Sequence, residues 1–246
     1  QVDMRPPSVR LATRQFQSPE SGLYLEVQAE FLADGVTWLN DADSTVRAGV
    51  RWTAVAFDTT GTVAGFGKST ARTGALSMPG DFVDIVRIPL ASGPHVLELE
   101  VQDLGNASRP VLTYETVVHV DDASAFVISD LFVVQGVKPA SVPPSPLTRS
   151  GRDILPLVDQ RLSADAAHVL CYAELYHTPE LFGENAPFLV TAGFRPLDSK
   201  DAWVNGTQRF FRQQSAGVVP LLEAIPSPGP GLFELVVQVM TPEQKL

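Results

Sequence analysis

The feature that most constrains this chain is a turn-plus-strand phrase that it writes twice. Residues 88–103 read IPLASGPHVLELEVQD, and residues 225–240 read IPSPGPGLFELVVQVM. With one gap the copies share Ile88/Ile225, Pro89/Pro226, Gly93/Gly229, Pro94/Pro230, Glu98/Glu234, Leu99/Leu235, Val101/Val237 and Gln102/Gln238. In each, glycine permits a tight reversal and proline presets φ on entry to a strand whose alternate residues are apolar. The interval between the copies is far longer than a solenoid repeat, so the repeated unit is a domain. The phrase is thus a packing signature, which directs the search for function elsewhere.

Alternation along the rest of the chain agrees. In residues 23–31, Leu23, Leu25, Val27, Ala29 and Phe31 share one side, with Tyr24, Glu26, Gln28 and Glu30 on the other. Period two with one polar face predicts a half-buried antiparallel strand. Residues 46–57 alternate in the same way around Val50, Trp52 and Ala54, and a turn at Asp58 leads into a partner strand. Further strands are expected over 82–88, 95–103, 111–120, 131–135, 168–177, 187–198, 202–213 and 231–240. Prolines and glycines (20 and 18) fall between these runs, as turn punctuation does. The expected fold is all-β: two tandem antiparallel β-sandwiches of immunoglobulin-like or fibronectin III-like type. The corner tyrosine of many such domains is missing, since His95 and Val96, or Gly231 and Leu232, hold the candidate positions.

Composition places the boundaries. Residues 1–20 read as an irregular N-terminal arm, 21–122 as the first sandwich and 123–246 as the second. A loop over 136–156 with five prolines interrupts the second and reads as extended and exposed. A hydrophobic content of 44% supplies packed cores, and no uninterrupted apolar run is long enough to span a bilayer. The net charge of −10 disfavours nucleic acid and anionic lipid as partners. The Gln1 start suits a mature chain after signal-peptide removal.

Several residues of the second half carry a resemblance: Ser129, Asp130 and Leu131, then Pro156, then Tyr172, Glu174, Leu175 and Tyr176. Together they are similar to the β-domains that precede the GWxTD domain in bacterial exported GWxTD-domain proteins. YLEVQAEF and GPHVLELEVQD resemble that family's opening sandwich. The Gly-Trp-x-Thr-Asp run and its helical domain are absent from this sequence. The resemblance implies an exported, envelope-located structural or binding module, and it transfers no catalytic residue.

Candidate chemistry is sparse. His95, His119, His168 and His177 form no metal-ligand pair at close spacing. His168 and His177 flank Cys171, but on a strand His168 and Cys171 point to opposite faces, and Cys171 shares its side with Val169 and Ala173. A buried, inert thiol is the expectation. Acidic pairs occur at Asp41/Asp43, Asp81/Asp84 and Asp121/Asp122. The last sits at the inferred domain junction and is a weak calcium candidate, with a solvated acidic turn as the plainer alternative. No nucleotide-binding fingerprint or nucleophile elbow appears, so the chain reads as a non-enzyme without cofactor.

The expected function is an exported structural subunit that docks on a larger envelope or membrane-protein complex of a bacterium. The candidate partner-binding residues are Arg5, Pro6 and Pro7 in the arm; Pro143, Pro144, Pro146, Arg149 and Arg152 in the proline loop; and Arg209 and Phe211 in RFFRQQ. The alternative is a carbohydrate- or small-ligand-binding module, with Trp38, Trp203 or Tyr24 as an aromatic platform.

Overall fold

The structure, a computed structural model, describes residues 5–18, 22–122, 127–163, 165–198, 203–212 and 217–241. The chain divides into two compact units. The first comprises Gln1–Ala125 and Ala140–Asp153, and the second Phe126–Pro139 and Ile154–Leu246. The protein is all-β, and every pairing that defines a register is antiparallel.

The first nine strands along the chain lie in the first unit: β1 (Val9–Ser18), β2 (Gly22–Phe31), β3 (Leu39–Asn40), β4 (Val46–Arg47), β5 (Gly49–Phe57), β6 (Val63–Arg72), β7 (Phe82–Pro89), β8 (Gly93–Asp103) and β9 (Leu112–Val120). They make a three-stranded sheet β1-β2-β7, a four-stranded sheet β6-β5-β8-β9, and the short ribbon β3-β4. Next along the chain come β10 (Phe132–Pro139), β11 (Thr148–Arg149), β12 (Arg152–Pro156), β13 (His168–Tyr176), β14 (Pro187–Pro196), β15 (Val204–Arg212), β16 (Val218–Pro226) and β17 (Phe233–Met240). Their sheets run β11-β12-β10-β13-β16 and β15-β14-β17. One short helix, α1 (Thr178–Phe182), follows β13.

The strand orders explain the duplicated phrase. β1-β2-β7 corresponds to β10-β13-β16, and β6-β5-β8 to β15-β14-β17. Ile88 sits opposite Leu25, and Ile225 opposite Val169. Leu99 lies opposite Ala54, and Leu235 opposite Phe194. In both units the phrase therefore ends a strand of one sheet with Ile-Pro and carries the chain across to the other. Gly93 (φ +122°) and Gly229 (φ +88°) hold left-handed backbone at that crossing, where a side chain would be strained.

Sheet-on-sheet packing forms the cores. In the first unit Trp52 is 1% exposed, meets Phe31 edge-on at 6.1 Å and donates its Nε1–H to Asp84 at 2.8 Å. The sheets approach closely where β6 crosses β7: a Cβ on Gly67 would lie 2.8 Å from the Cβ of Val86. In the second unit Val133, Val169, Cys171 and Ile225 of one sheet pack on Ala192 and Phe194 of the other. A neighbouring cluster joins Ala173, Leu175 and Leu221 to Phe188 and Val190.

Three features depart from the sequence reading. Residues 9–18, expected within an irregular arm, form β1, which pairs with β2 along its whole length. Residues 140–153 of the proline loop group with the first unit instead of the second. The polar side of β2 is also buried: Tyr24 is 7% exposed, Glu26 0%, Gln28 1% and Glu30 7%. The returning loop is the reason, because Arg149 pairs with the Glu26 carboxylate and lies 4.0 Å over the Phe16 ring.

Candidate interaction surface

Most residues that sequence reasoning offered to a partner are engaged inside the fold. Arg149 is 7% exposed. Its guanidinium donates to Glu26 Oε2 and, at 3.4 Å, to the Tyr24 hydroxyl. Arg87 adds a second cation to Glu26 at 3.2 Å and donates to the Pro146 carbonyl at 2.7 Å; Gln28 donates to Glu26 Oε1 at 3.0 Å. Burial raises the Tyr24 phenol above its ordinary pKa, against the opposing pull of Arg149. A half-exposed strand face has become a charge-satisfied interior.

The arm is anchored as well. Pro7 is buried, and the Arg5 carbonyl accepts from Arg109 Nε at 2.7 Å. Arg109 is itself buried and paired with Asp103 at 2.9 Å; Asp103 also accepts the amides of Thr37 and Gly105. Phe211 stacks on Phe188 with centroids 5.7 Å apart, as a core neighbour rather than a surface anchor. Arg209 Nε lies 3.1 Å from Glu223. Arg5, Pro6, Pro143, Pro144, Pro146 and Arg152 have exposed side chains.

The other candidates are also placed. Asp121 and Asp122 are exposed, the Asp121 amide donating to Gln15, and among the described residues no group of three or more His, Cys, Asp or Glu side chains is disposed to hold a metal. Asp41 pairs with Arg47, Asp43 accepts from Thr45, and Asp81 accepts the Ala33 amide. Cys171 is 2% exposed. Burial first, and the Glu223 carboxylate second, push its thiol up to about 12, while His168 is exposed on the opposite face. Tyr24 is buried and Trp38 donates to the Ala33 carbonyl at 2.8 Å, which leaves Trp203, 37% exposed, as the accessible member of the proposed aromatic platform.

Four of the residues that carry the resemblance, Ser129, Tyr172, Glu174 and Tyr176, come together. Tyr172 and Tyr176 donate their hydroxyls to the two oxygens of buried Glu174, at 2.7 and 2.8 Å. The Glu174 amide donates to the Ser129 hydroxyl at 2.9 Å, and the Ser129 amide to the Glu174 carbonyl at 2.8 Å. The motif thus forms a hydrogen-bonded structural network.

An exposed surface that sequence reasoning did not single out lies on the outer face of β6-β5-β8-β9. Register places Val63, Phe57, Val96 and Val117 in one row across all four strands. The next row is Phe66, Val55, Glu98 and Glu115, followed by Lys68, Thr53, Glu100 and Thr113. Val63 is 53% exposed, Phe66 66% and Val117 71%, while Val55, Phe57 and Val96 are half-buried. A contiguous apolar band of this kind marks an interaction site more often than scattered apolar residues do. Glu98 and Glu115 stand directly opposite one another, a like-charge arrangement that costs stability in an isolated sheet. The alternation on β5 and β8 held the signal, but the outward valines were legible only once the register aligned them.

In the second unit a recess of about 470 Å3 opens at the repeated turn. Val133, Val169, Phe194 and Leu235 line it, with Arg161 also among its lining residues. No helix among the described residues is long and apolar enough to cross a membrane. Compared with known proteins, the chain matches no family model, and no curated protein matches it significantly.

Proposed function

We propose that this chain is a non-enzymatic structural subunit, exported to a bacterial envelope, that docks on a larger envelope or membrane-protein assembly. We read its two units as tandem sandwiches of immunoglobulin-like type, related to the β-domains of exported GWxTD-domain proteins. The observation that carries the docking is the apolar band Val63–Phe57–Val96–Val117 with Phe66 beside it, flanked by Glu98, Glu115 and Glu100. An apolar band bordered by carboxylates suits a protein surface with apolar anchors and adjacent Lys or Arg groups. Such a partner would relieve the Glu98/Glu115 repulsion and cover Phe66 and Val117. The proline loop and the arm contribute by building the first unit, and Arg5, Pro6, Pro143, Pro144, Pro146 and Arg152 keep exposed side chains for contact.

The test is isolation of the tagged protein from its native cells under mild conditions, beside a Phe66→Ser/Val117→Ser variant. The expected result is a partner in fixed stoichiometry with the unmodified chain and its loss from the variant, at unchanged unfolding midpoint. A free protein at every ionic strength, or a partner retained by the variant, overturns the reading. A second reading, a small-ligand module, is favoured by the recess beside Phe194 and Arg161. A glycan array and a thermal-shift screen without response would remove it.

A further inference from the structure

We infer that the recess at the repeated turn of the second unit binds a single aliphatic chain with a carboxylate head, as a medium-chain fatty acid presents. This rests on the small-ligand reading given second above and is independent of the apolar band. The internal duplication shows how the recess arises. In both units the turn after Ile-Pro is anchored alike: the Leu90 amide donates to the Leu23 carbonyl at 3.3 Å, and the Ser227 amide to the Ala167 carbonyl at 3.0 Å. Ile88 faces Leu25 and Ile225 faces Val169, so Leu23 and Ala167 hold equivalent places two residues earlier.

The side chains differ at that turn. The first unit buries both Leu90 and His95 there, and His95 donates from Nε2 to the Ala91 carbonyl at 2.9 Å. The aligned positions in the second unit are Ser227 and Gly231, which supply a hydroxymethyl group and a hydrogen. Both line the recess of about 470 Å3, and every residue that lines it belongs to the second unit. The second unit thus lacks the two side chains with which the first closes the same turn. The space left is within the range of about 300–1,000 Å3 usual for small-molecule sites.

The lining selects the ligand. Its floor is apolar, with Val133, Val169 and Phe194 buried and Leu235 half-buried. At the rim Leu162 and Leu232 are 40% and 79% exposed, apolar surface that an aliphatic chain in the recess would cover. Arg161, exposed at the same rim, is the one charged residue among those lining the recess. A guanidinium beside an apolar pocket takes an anionic head, and a planar carboxylate matches its paired N–H donors. A sugar would set its hydroxyls against the apolar floor without partners, at a cost.

NMR titration of the full chain with decanoate, decanol and decyltrimethylammonium, each below its micellar concentration, tests this. Decanoate should shift the methyl groups of Val133, Val169 and Leu235 and bind about tenfold tighter than decyltrimethylammonium, with decanol between them. Arg161→Gln should weaken decanoate about three- to fivefold, as loss of an exposed ion pair does, and Arg161→Glu should reverse the order of the two ions. Ser227→Leu, which restores the first unit's residue, should weaken all three at least about tenfold. Decanoate that leaves those methyl groups unshifted, survives Ser227→Leu or keeps its lead in Arg161→Glu overturns the proposal. If all three bind there equally, the recess is a small-ligand site and the carboxylate class is refuted; if none binds, the small-ligand reading falls as well. The Phe66→Ser/Val117→Ser variant should bind decanoate unchanged, so failure here and failure of the docking surface are told apart.

Discussion

At the residue scale, the second unit's core holds an acid that its duplicate lacks. Val27 faces Val86 in the first unit, and the equivalent pair in the second is Cys171 and Glu223. Burial is the larger influence on Glu223 and raises its pKa, while Arg209 works in the opposite sense. Between the ordinary value of 4.5 and the higher folded value, the folded state holds the extra proton. Stability therefore falls as pH rises through that window, and the loss is complete above it. Glu223→Gln, which cannot ionise, should be more stable than the parent at neutral pH and equal to it below the window. Urea midpoints across that pH range check this, and a variant less stable at neutral pH would contradict it. The same burial fixes the chemistry of Cys171. With its thiol near 12, a maleimide at pH 8 should label it orders of magnitude more slowly in the native protein than in denaturant, as mass spectrometry would show. Its burial was legible from Val169 and Ala173 alone. Glu223 was not, because a lone glutamate in a proline-flanked run gives no sign of which way it points.

At the element scale, strands with clean alternation were legible and the others were not. β2, β5 and β8 alternate because one face meets the core, and their limits in the structure fall within a few residues of those read from the sequence. β1 mixes Arg10 and Arg14 with Thr13 and Gln15: Arg10 pairs with Glu30 on one side, and Gln15 accepts the Asp121 amide on the other. β16 carries Pro220 and Pro226, which a strand tolerates at the sheet edge that β16 occupies. The alternation of β13 put Val169, Cys171 and Ala173 on one side, and on the other side hydrogen bonding lets Tyr172, Glu174 and Tyr176 be buried as well. Removing one donor leaves the carboxylate under-satisfied in the interior. Tyr172→Phe and Tyr176→Phe should therefore each cost about 1–3 kcal/mol, and the double variant should depart from additivity because both donors share Glu174. Chemical denaturation of the three variants measures both effects. Strictly additive losses would show that the hydroxyls act independently.

At the scale of the whole molecule, the order of the chain and the order of its compact units differ. Reading along the sequence puts a boundary near residue 122, yet the first unit is completed by residues 140–153. Composition could not reveal this, since an exposed proline loop and one that returns to another unit have the same proline and serine content. Arg149 was singled out as a partner-binding residue of the proline loop, and its partner Glu26 lay 123 residues away on the polar face of a strand read as half-buried. The consequence concerns any attempt to express the first sandwich alone. A fragment ending at residue 122 keeps β1, β2 and β7 but loses the guanidinium that neutralises Glu26 and covers Phe16 and Tyr24. Breaking a buried pair by removing one partner costs about 3–5 kcal/mol, of which Arg87 and renewed hydration of Glu26 recover part. The fragment should consequently unfold at lower denaturant than the same unit within the full chain. Arg149→Met in the full chain should reproduce most of that loss, whereas Arg149→Met with Glu26→Leu should recover much of it, since a matched apolar pair leaves no charge uncompensated. If the fragment unfolds at the same midpoint as the first unit of the intact protein, the returning loop lies on that unit without stabilising it, and the sequence boundary is an adequate place to cut.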